Sequence, residues 1–245
     1  MMANREQPLS GQVALITNTG RGLGRVIALA FAEAGATVAA TDQTPDSLVE
    51  TVRQIRMRSS AVKGYPADNT RPEQVVDLAA EVLQDWGRID ILVNVPSLPA
   101  RLPLQELSEW EWQLSLNKNL TAPFYMLRAV STVMALQANG AILNITASEA
   151  LGQAEEGLGA FSACNAGLVS LTRTAARELD GDNIRVHAIC GGDLALFSDH
   201  EKEIFQTEEI QEMMTGVAKL AVYLCSPNAS HLTGQVLLIN RSPEA

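Results

Sequence analysis

Seven strand-like runs of five or six residues recur along this chain, at 13–17, 37–41, 61–65, 89–94, 141–146, 184–189 and 235–239. Longer helical patterns, at 23–34, 45–58, 72–86, 112–137, 159–179 and 208–225, fill the six intervals between them. That alternation leaves few folds open. Strands separated by helices pair in parallel, since only a crossover of a dozen or more residues returns the chain to the same end of a sheet. The crossover helices then cover both faces of that sheet. The expectation is one doubly wound α/β domain over residues 1–245, with a seven-stranded parallel sheet flanked by helices and all seven strands buried. Residues 1–10 read as an N-terminal extension. The stretch 193–211 is the least regular and reads as a loop with short helical pieces over one end of the sheet.

With 245 residues, 47% of them apolar and 19% charged, the chain can bury one large core. Its net charge of −10 excludes the clustered basic surface that nucleic acid or an anionic membrane requires. Cys164, Cys190 and Cys225 are far apart and show no metal-ligand spacing, so they read as reduced, buried thiols and no metal site is expected. Residues 1–10 are polar, and no later run reaches the roughly 18 apolar residues of a membrane span, so no membrane association is expected and the cytoplasm is the expected compartment. In the segment 159–179, Cys164, Leu168, Leu171, Ala175 and Leu179 recur at helical spacing as one apolar stripe. Trp110 and Trp112 read as core packing. His187, His200 and His231 are each isolated and read as packed or solvated side chains, and Arg173, Arg177 and Glu178 as a solvated, charge-paired face.

The first strand runs into Thr17-Asn18-Thr19-Gly20-Arg21-Gly22-Leu23-Gly24 and then directly into a helix. A glycine-rich turn in that context lets a pyrophosphate approach the backbone at the positive end of the helix dipole. Asp42 lies 18 residues beyond Gly24, at the end of the second strand. A carboxylate there accepts hydrogen bonds from an adenosine ribose and favours NAD over NADP.

On these residues the chain resembles the short-chain dehydrogenase/reductase family over nearly its whole length, which implies a Rossmann-type fold. Thr17, Gly22 and Gly24 match the T-G-x-x-x-G-x-G opening of that family, Asp42 its ribose-binding acid, and Asp68 its adenine-contacting acid. The segment 112–119 ends on Asn119, which matches the Asn of the catalytic tetrad. Residues 140–145 match the fifth strand and 232–235 the approach to the last. The implied cofactor residues are Thr17, Asn18, Gly22, Gly24, Asp42, Asp68 and Asn94.

The departures are equally specific. Asn18 stands where the turn has its first glycine, and Asn94-Val95-Pro96-Ser97 replaces N-N-A-G. Phe161 stands at the catalytic Tyr position and Asn165 at the catalytic Lys position, and the only tyrosines are Tyr65, Tyr125 and Tyr223. The catalytic Ser position falls on Ser148 counted back from Phe161, or on Ala147 counted along the strand from Gly140. In the family the Tyr hydroxyl transfers the proton and the Lys cation lowers its pKa; Phe161 has no proton to give and Asn165 no charge. Asn18 and residues 95–97 are expected to intrude on the cofactor groove, leaving NAD weakly bound or unbound. Only 26 residues separate Gly192 from Lys219, so the substrate lid at 193–211 is expected to be short and acidic.

The resemblance therefore implies a catalytically inactive subunit that pairs with a complete paralogue, as heteromeric members of the family do, including one acting on an aryl-substituted succinyl-CoA. The partner would bind NAD, and assembly as a dimer or tetramer would run through the apolar stripes near 112–137 and 159–179. Two other readings stay open at this point. One is an oxidoreductase that uses Ser148, Asn119 or a bound water in place of Tyr. The other is a sensor that binds NAD without turnover.

Overall fold

The computed structural model describes residues 7–58, 61–97, 101–151, 155–191 and 208–239. The elements in chain order are β1 (Val13–Ile16), α1 (Gly22–Glu33), β2 (Thr37–Asp42), α2 (Pro45–Arg56), β3 (Val62–Pro66), α3 (Pro72–Trp86), β4 (Ile91–Asn94), α4 (Glu109–Leu116), a π-turn (Asn117–Thr121), α5 (Ala122–Gln137), β5 (Gly140–Ala147), α6 (Gly159–Glu178), β6 (Ile184–Gly191), α7 (Glu208–Cys225) and β7 (Val236–Ile239). The strands form one parallel sheet of seven in the order β3-β2-β1-β4-β5-β6-β7. Local chemistry places the helix ends. Pro45 and Pro72 start α2 and α3 where a missing N–H costs nothing. Ser108 and Glu111 close a capping box on α4, and Gly87 ends α3 in a left-handed turn at φ 75.

Side chains alternate across the pleat, so each strand feeds two cores. Ile16, Val93, Leu143 and Ile189 pack under α1 and α7 with Ile27, Phe31, Val217 and Leu224. Leu15, Leu92 and Ile142 face the other way and pack under α3 and α5 with Val75, Val82, Met126 and Val130. The fold is the doubly wound sheet expected from the alternation.

Several details differ from the sequence reading. The strands are not all buried: β7 is partly exposed, with Leu238 open at one edge, and β3 at the other edge leaves Lys63 and Gly64 half-buried. The pattern at 112–137 is two helices, α4 and α5, joined by the π-turn. No residue of α4 is buried, and Trp110 is 69% exposed, so core packing does not hold the two tryptophans. The stripe on α6 is already covered inside the protomer. Cys164, Leu168 and Ala175 are buried, and Leu171 and Leu179 pack against the α3–α5 core. Ala163, Ala166 and Ser170 are exposed on the other side of α6.

The three cysteines are buried thiols, and the Thr146 hydroxyl donates to Cys190 Sγ at 2.9 Å. Arg173 and Arg177 are exposed. Among the described residues no acidic, Cys and His cluster could hold a metal, and no helix is long and apolar enough to cross a membrane. Residues 1–6 of the extension, most of the lid segment and His200 lie outside the described residues.

His187 on β6 is 1% exposed, and neither ring nitrogen has a hydrogen-bond partner of good geometry. Burial, then the nearby Arg185 guanidinium, pushes its pKa from 6.5 down to about 4, against a weaker backbone contact with Leu232. The folded state thus disfavours the protonated ring. Above pH 6.5 the ring is neutral whether folded or unfolded, and it has no effect on stability. As pH falls from 6.5 to about 4, only the unfolded chain takes up the proton, and stability is lost by on the order of 3 kcal/mol. Urea titrations of wild type and His187→Leu across that window should show a smaller acid-side loss in the variant; parallel losses would refute the assignment.

Candidate functional site

A groove of about 340 Å³ opens at the carboxyl ends of β1 to β4. It lies where the sheet order reverses between β1 and β4, the position at which open α/β sheets bind ligands. The turn after β1 forms its floor. Asn18 and Gly22 both sit at φ 53, the left-handed region that Gly adopts freely and Asn tolerates. Gly24 allows the turn to lie against α1, since a Cβ there would fall 2.1 Å from the Asn18 carbonyl oxygen. The first turn of α1 carries no acidic residue of its own. In these respects the turn suits a phosphate group.

Hydrogen bonds within the chain span the crevice above the turn. Asn18 Nδ2 donates to the Val95 carbonyl at 2.6 Å and reaches Ser97 Oγ at 3.4 Å, so the amide bridges the loops that follow β1 and β4. The Val95 N–H donates to Thr17 Oγ1 at 2.9 Å, and the Ser97 N–H donates to Asn119 Oδ1 at 2.9 Å. Residues 95–97 are thereby tied down from both sides. Asn119 itself is buried in the π-turn.

The acids of the groove are also engaged within the chain. Asp42 accepts the Gly20 N–H on Oδ2 and the Thr44 N–H on Oδ1, both at 2.9 Å. Asp68 accepts the N–H and hydroxyl of Thr70 at 3.0 and 2.6 Å and lies 3.6 Å from Arg71 Nε, an Asx-type turn leading into α3. Asn94 is buried. Its amide donates to Asn144 Oδ1 at 2.9 Å, Asn144 donates on to Thr172 Oγ1 at 2.8 Å, and Asn94 Oδ1 has no hydrogen-bond partner.

Phe161, on the first turn of α6, is 2% exposed and reaches the groove from the apolar core. Asn165, one turn later, donates to the Phe161 carbonyl at 2.8 Å and accepts the Ala147 N–H at 3.1 Å. It joins α6 to the end of β5 as a structural bridge. Ala147 ends β5 and Ser148 begins the short helical turn after it; neither lines the groove. No tyrosine lines it among the described residues. Tyr65 is buried at the β3–α3 contact, where it donates to Asp85 Oδ2 at 2.8 Å and accepts from Trp86 Nε1 at 2.7 Å, and burial raises its pKa.

The structure therefore gathers Thr17, Asn18, Gly22, Gly24, Asp42, Asp68, Asn94 and Phe161 around one groove, with Asn119 and Asn165 packed behind it. Arg21 and Lys118 also line the groove and were not singled out from the sequence. Lys118 had one available signal, as the one charged residue between Glu111 and Arg128, next to Asn119.

The sequence profile of the family described as short chain dehydrogenase matches residues 12–209. The chain is 31% identical over 240 residues to the 3-oxoacyl-[acyl-carrier-protein] reductase FabG of Thermotoga maritima, covering 95% of this chain and 97% of that one. It is 32% identical over 239 residues to the (2S)-[(R)-hydroxy(phenyl)methyl]succinyl-CoA dehydrogenase subunit BbsD of Thauera aromatica, covering 94% and 96%. The crystal structure of an NAD+-bound xylitol dehydrogenase superposes with a TM-score of 0.86 at 26% identity, covering 94% of this chain and 98% of that one.

The Asn165 bridge predicts that Asn165→Leu leaves the buried Ala147 N–H and Phe161 carbonyl without these partners, at a cost of about 1 to 3 kcal/mol. Urea denaturation measures it. An unchanged midpoint would remove Asn165 from the structural role.

Proposed function

This chain belongs to the short-chain dehydrogenase family, and from that premise we propose that it is a subunit that does not itself transfer hydride and works paired with a catalytically complete paralogue. The observation that carries the proposal is the pair Phe161 and Asn165. A proton donor is needed wherever a carbonyl is reduced to an alcohol, and its pKa must be set near working pH. Phe161 offers no proton, and Asn165 is an uncharged amide already bonded to Ala147 N and the Phe161 carbonyl. Losing a positioned acid or base costs about 10² to 10⁴ in rate. Among the described residues the titratable side chains that line the groove are Arg21, Asp42, Asp68 and Lys118, and none is a tyrosine; Met126, Ala122 and Pro123 are apolar.

Members of this family bind nicotinamide dinucleotides. In this subunit NAD is weakly held or absent, and the partner holds it. Two relatives, by their names, act on thioesters of acyl carrier protein or coenzyme A, and one of them is named as a subunit. The reading for the complex is accordingly an NAD-dependent alcohol dehydrogenase or ketoreductase on an acyl thioester.

Contact with the partner would use the outward faces of α5 and α6. Ala163, Ala166 and Ser170 are exposed on α6, where small side chains let another helix approach closely. Phe124 on α5 is 38% exposed, with Arg128 stacked 5.4 Å from its ring centre.

The isolated protein should show no NAD(H)- or NADP(H)-linked alcohol or ketone turnover beyond that of a Phe161→Ala control. Co-expressed with the complete family members of its own genome, it should co-purify with one of them. Ala166→Arg should break that complex while leaving the protomer folded, because position 166 faces solvent. Turnover by the isolated protein above the control would overturn the catalytic half of the proposal; a protein that stays monomeric beside every complete paralogue would overturn the assembly half.

A further inference from the structure

We infer that Asn18 is the residue that shuts this groove to dinucleotides, acting as a bolt across the β1–β4 crevice. The inference rests on the reading above that this subunit holds NAD weakly or not at all, and it assigns that property to one side chain.

Register carries the first part of the argument. Ile16 pairs with Val93, so the residues that leave β1 and β4 side by side are Thr17 and Asn18 on one strand and Asn94 and Val95 on the other. A ligand seated at this switch point must lie between those two exits. The Asn18 amide already spans them, with 2.6 Å to the Val95 carbonyl and 3.4 Å to Ser97 Oγ.

Backbone shape does not require the side chain. At φ 53 a glycine would be free of strain, so Asn supplies the same turn and adds a carboxamide to it. Nor can the opposite wall retreat easily. Val95 is held by Thr17 Oγ1 and Ser97 by Asn119 Oδ1, each at 2.9 Å. An entering dinucleotide must break the amide's contacts and displace the side chain. The rest of the cradle is kept: Gly22 and Gly24 shape the turn, and the groove retains about 340 Å³. Exclusion is thus local, and removing one side chain should reverse it.

The test is calorimetry with NADH on the wild type, Asn18→Gly and Asn18→Ser. Gly keeps the turn and removes the bolt. Ser is too short to reach the Val95 carbonyl and serves as a second variant with a side chain. Both should bind NADH at least about tenfold more tightly than the wild type, the scale set by one hydrogen bond no longer broken on binding together with the space released. Neither should gain turnover, since position 161 is unchanged. If the wild type binds weakly and both folded variants bind no better, the assignment to Asn18 falls while the reading of a weak cofactor groove stands. Micromolar binding by the wild type would overturn that reading and this inference with it. Turnover by Asn18→Gly would leave the bolt in place as an explanation of affinity and overturn the catalytic reading alone.

Discussion

The pairing of β1 with β4 is the constraint on which the groove depends. The helix that follows β1 packs on one face of the sheet through Ile27 and Phe31, and α5, beyond β4, packs on the other through Met126 and Val130. The two chains must therefore leave their strands in opposite directions, and the gap between them is the crevice. The other end of the same pair is fixed by Asp90, a buried carboxylate that accepts the Val13 N–H at 2.8 Å and pairs with Arg88 at 2.6 Å. A carboxylate taken out of water needs such donors, and their presence locks β1 against the segment entering β4.

Once that crevice exists, its polar groups have two possible sets of partners, a ligand or the chain. In this protein the chain supplies most of them. Asp42, Asp68, Asn18, Asn119 and Asn165 each make at least one short hydrogen bond to backbone. The result is a groove whose walls are stapled to one another, and any ligand that reached those polar groups would have to replace bonds already formed.

Fold and chemistry are separable here because they reside in different atoms. The fold follows from apolar side chains repeated across both faces of the sheet, and it accommodates Phe161, whose ring packs in the core. Proton transfer needs a titratable group, and a phenyl ring carries none. Membership of the short-chain dehydrogenase family therefore says what the scaffold is, and it leaves the question of reaction to a handful of positions around one groove.

Much of this was legible in the residues alone. Short apolar runs and 3.6-residue apolar periods locate every strand and nearly every helix, because burial on both faces of a parallel sheet makes its strands continuously apolar. The glycine turn and the identities of Phe161 and Asn165 are likewise local facts of sequence. Other features were not legible, and they share a cause. Whether Trp110 is buried depends on whether anything packs over its face of α4, and among the described residues nothing covers it. Whether the α6 stripe faces a partner or its own sheet depends on which side of the helix meets β5 and β6. The partners of Asn18 and Asn119 lie 77 to 79 and 22 residues away, respectively. Periodicity determined where the chain runs; which distant atoms meet was decided only when the sheet closed, because hydrogen bonds over such separations exist only after the strands are in register.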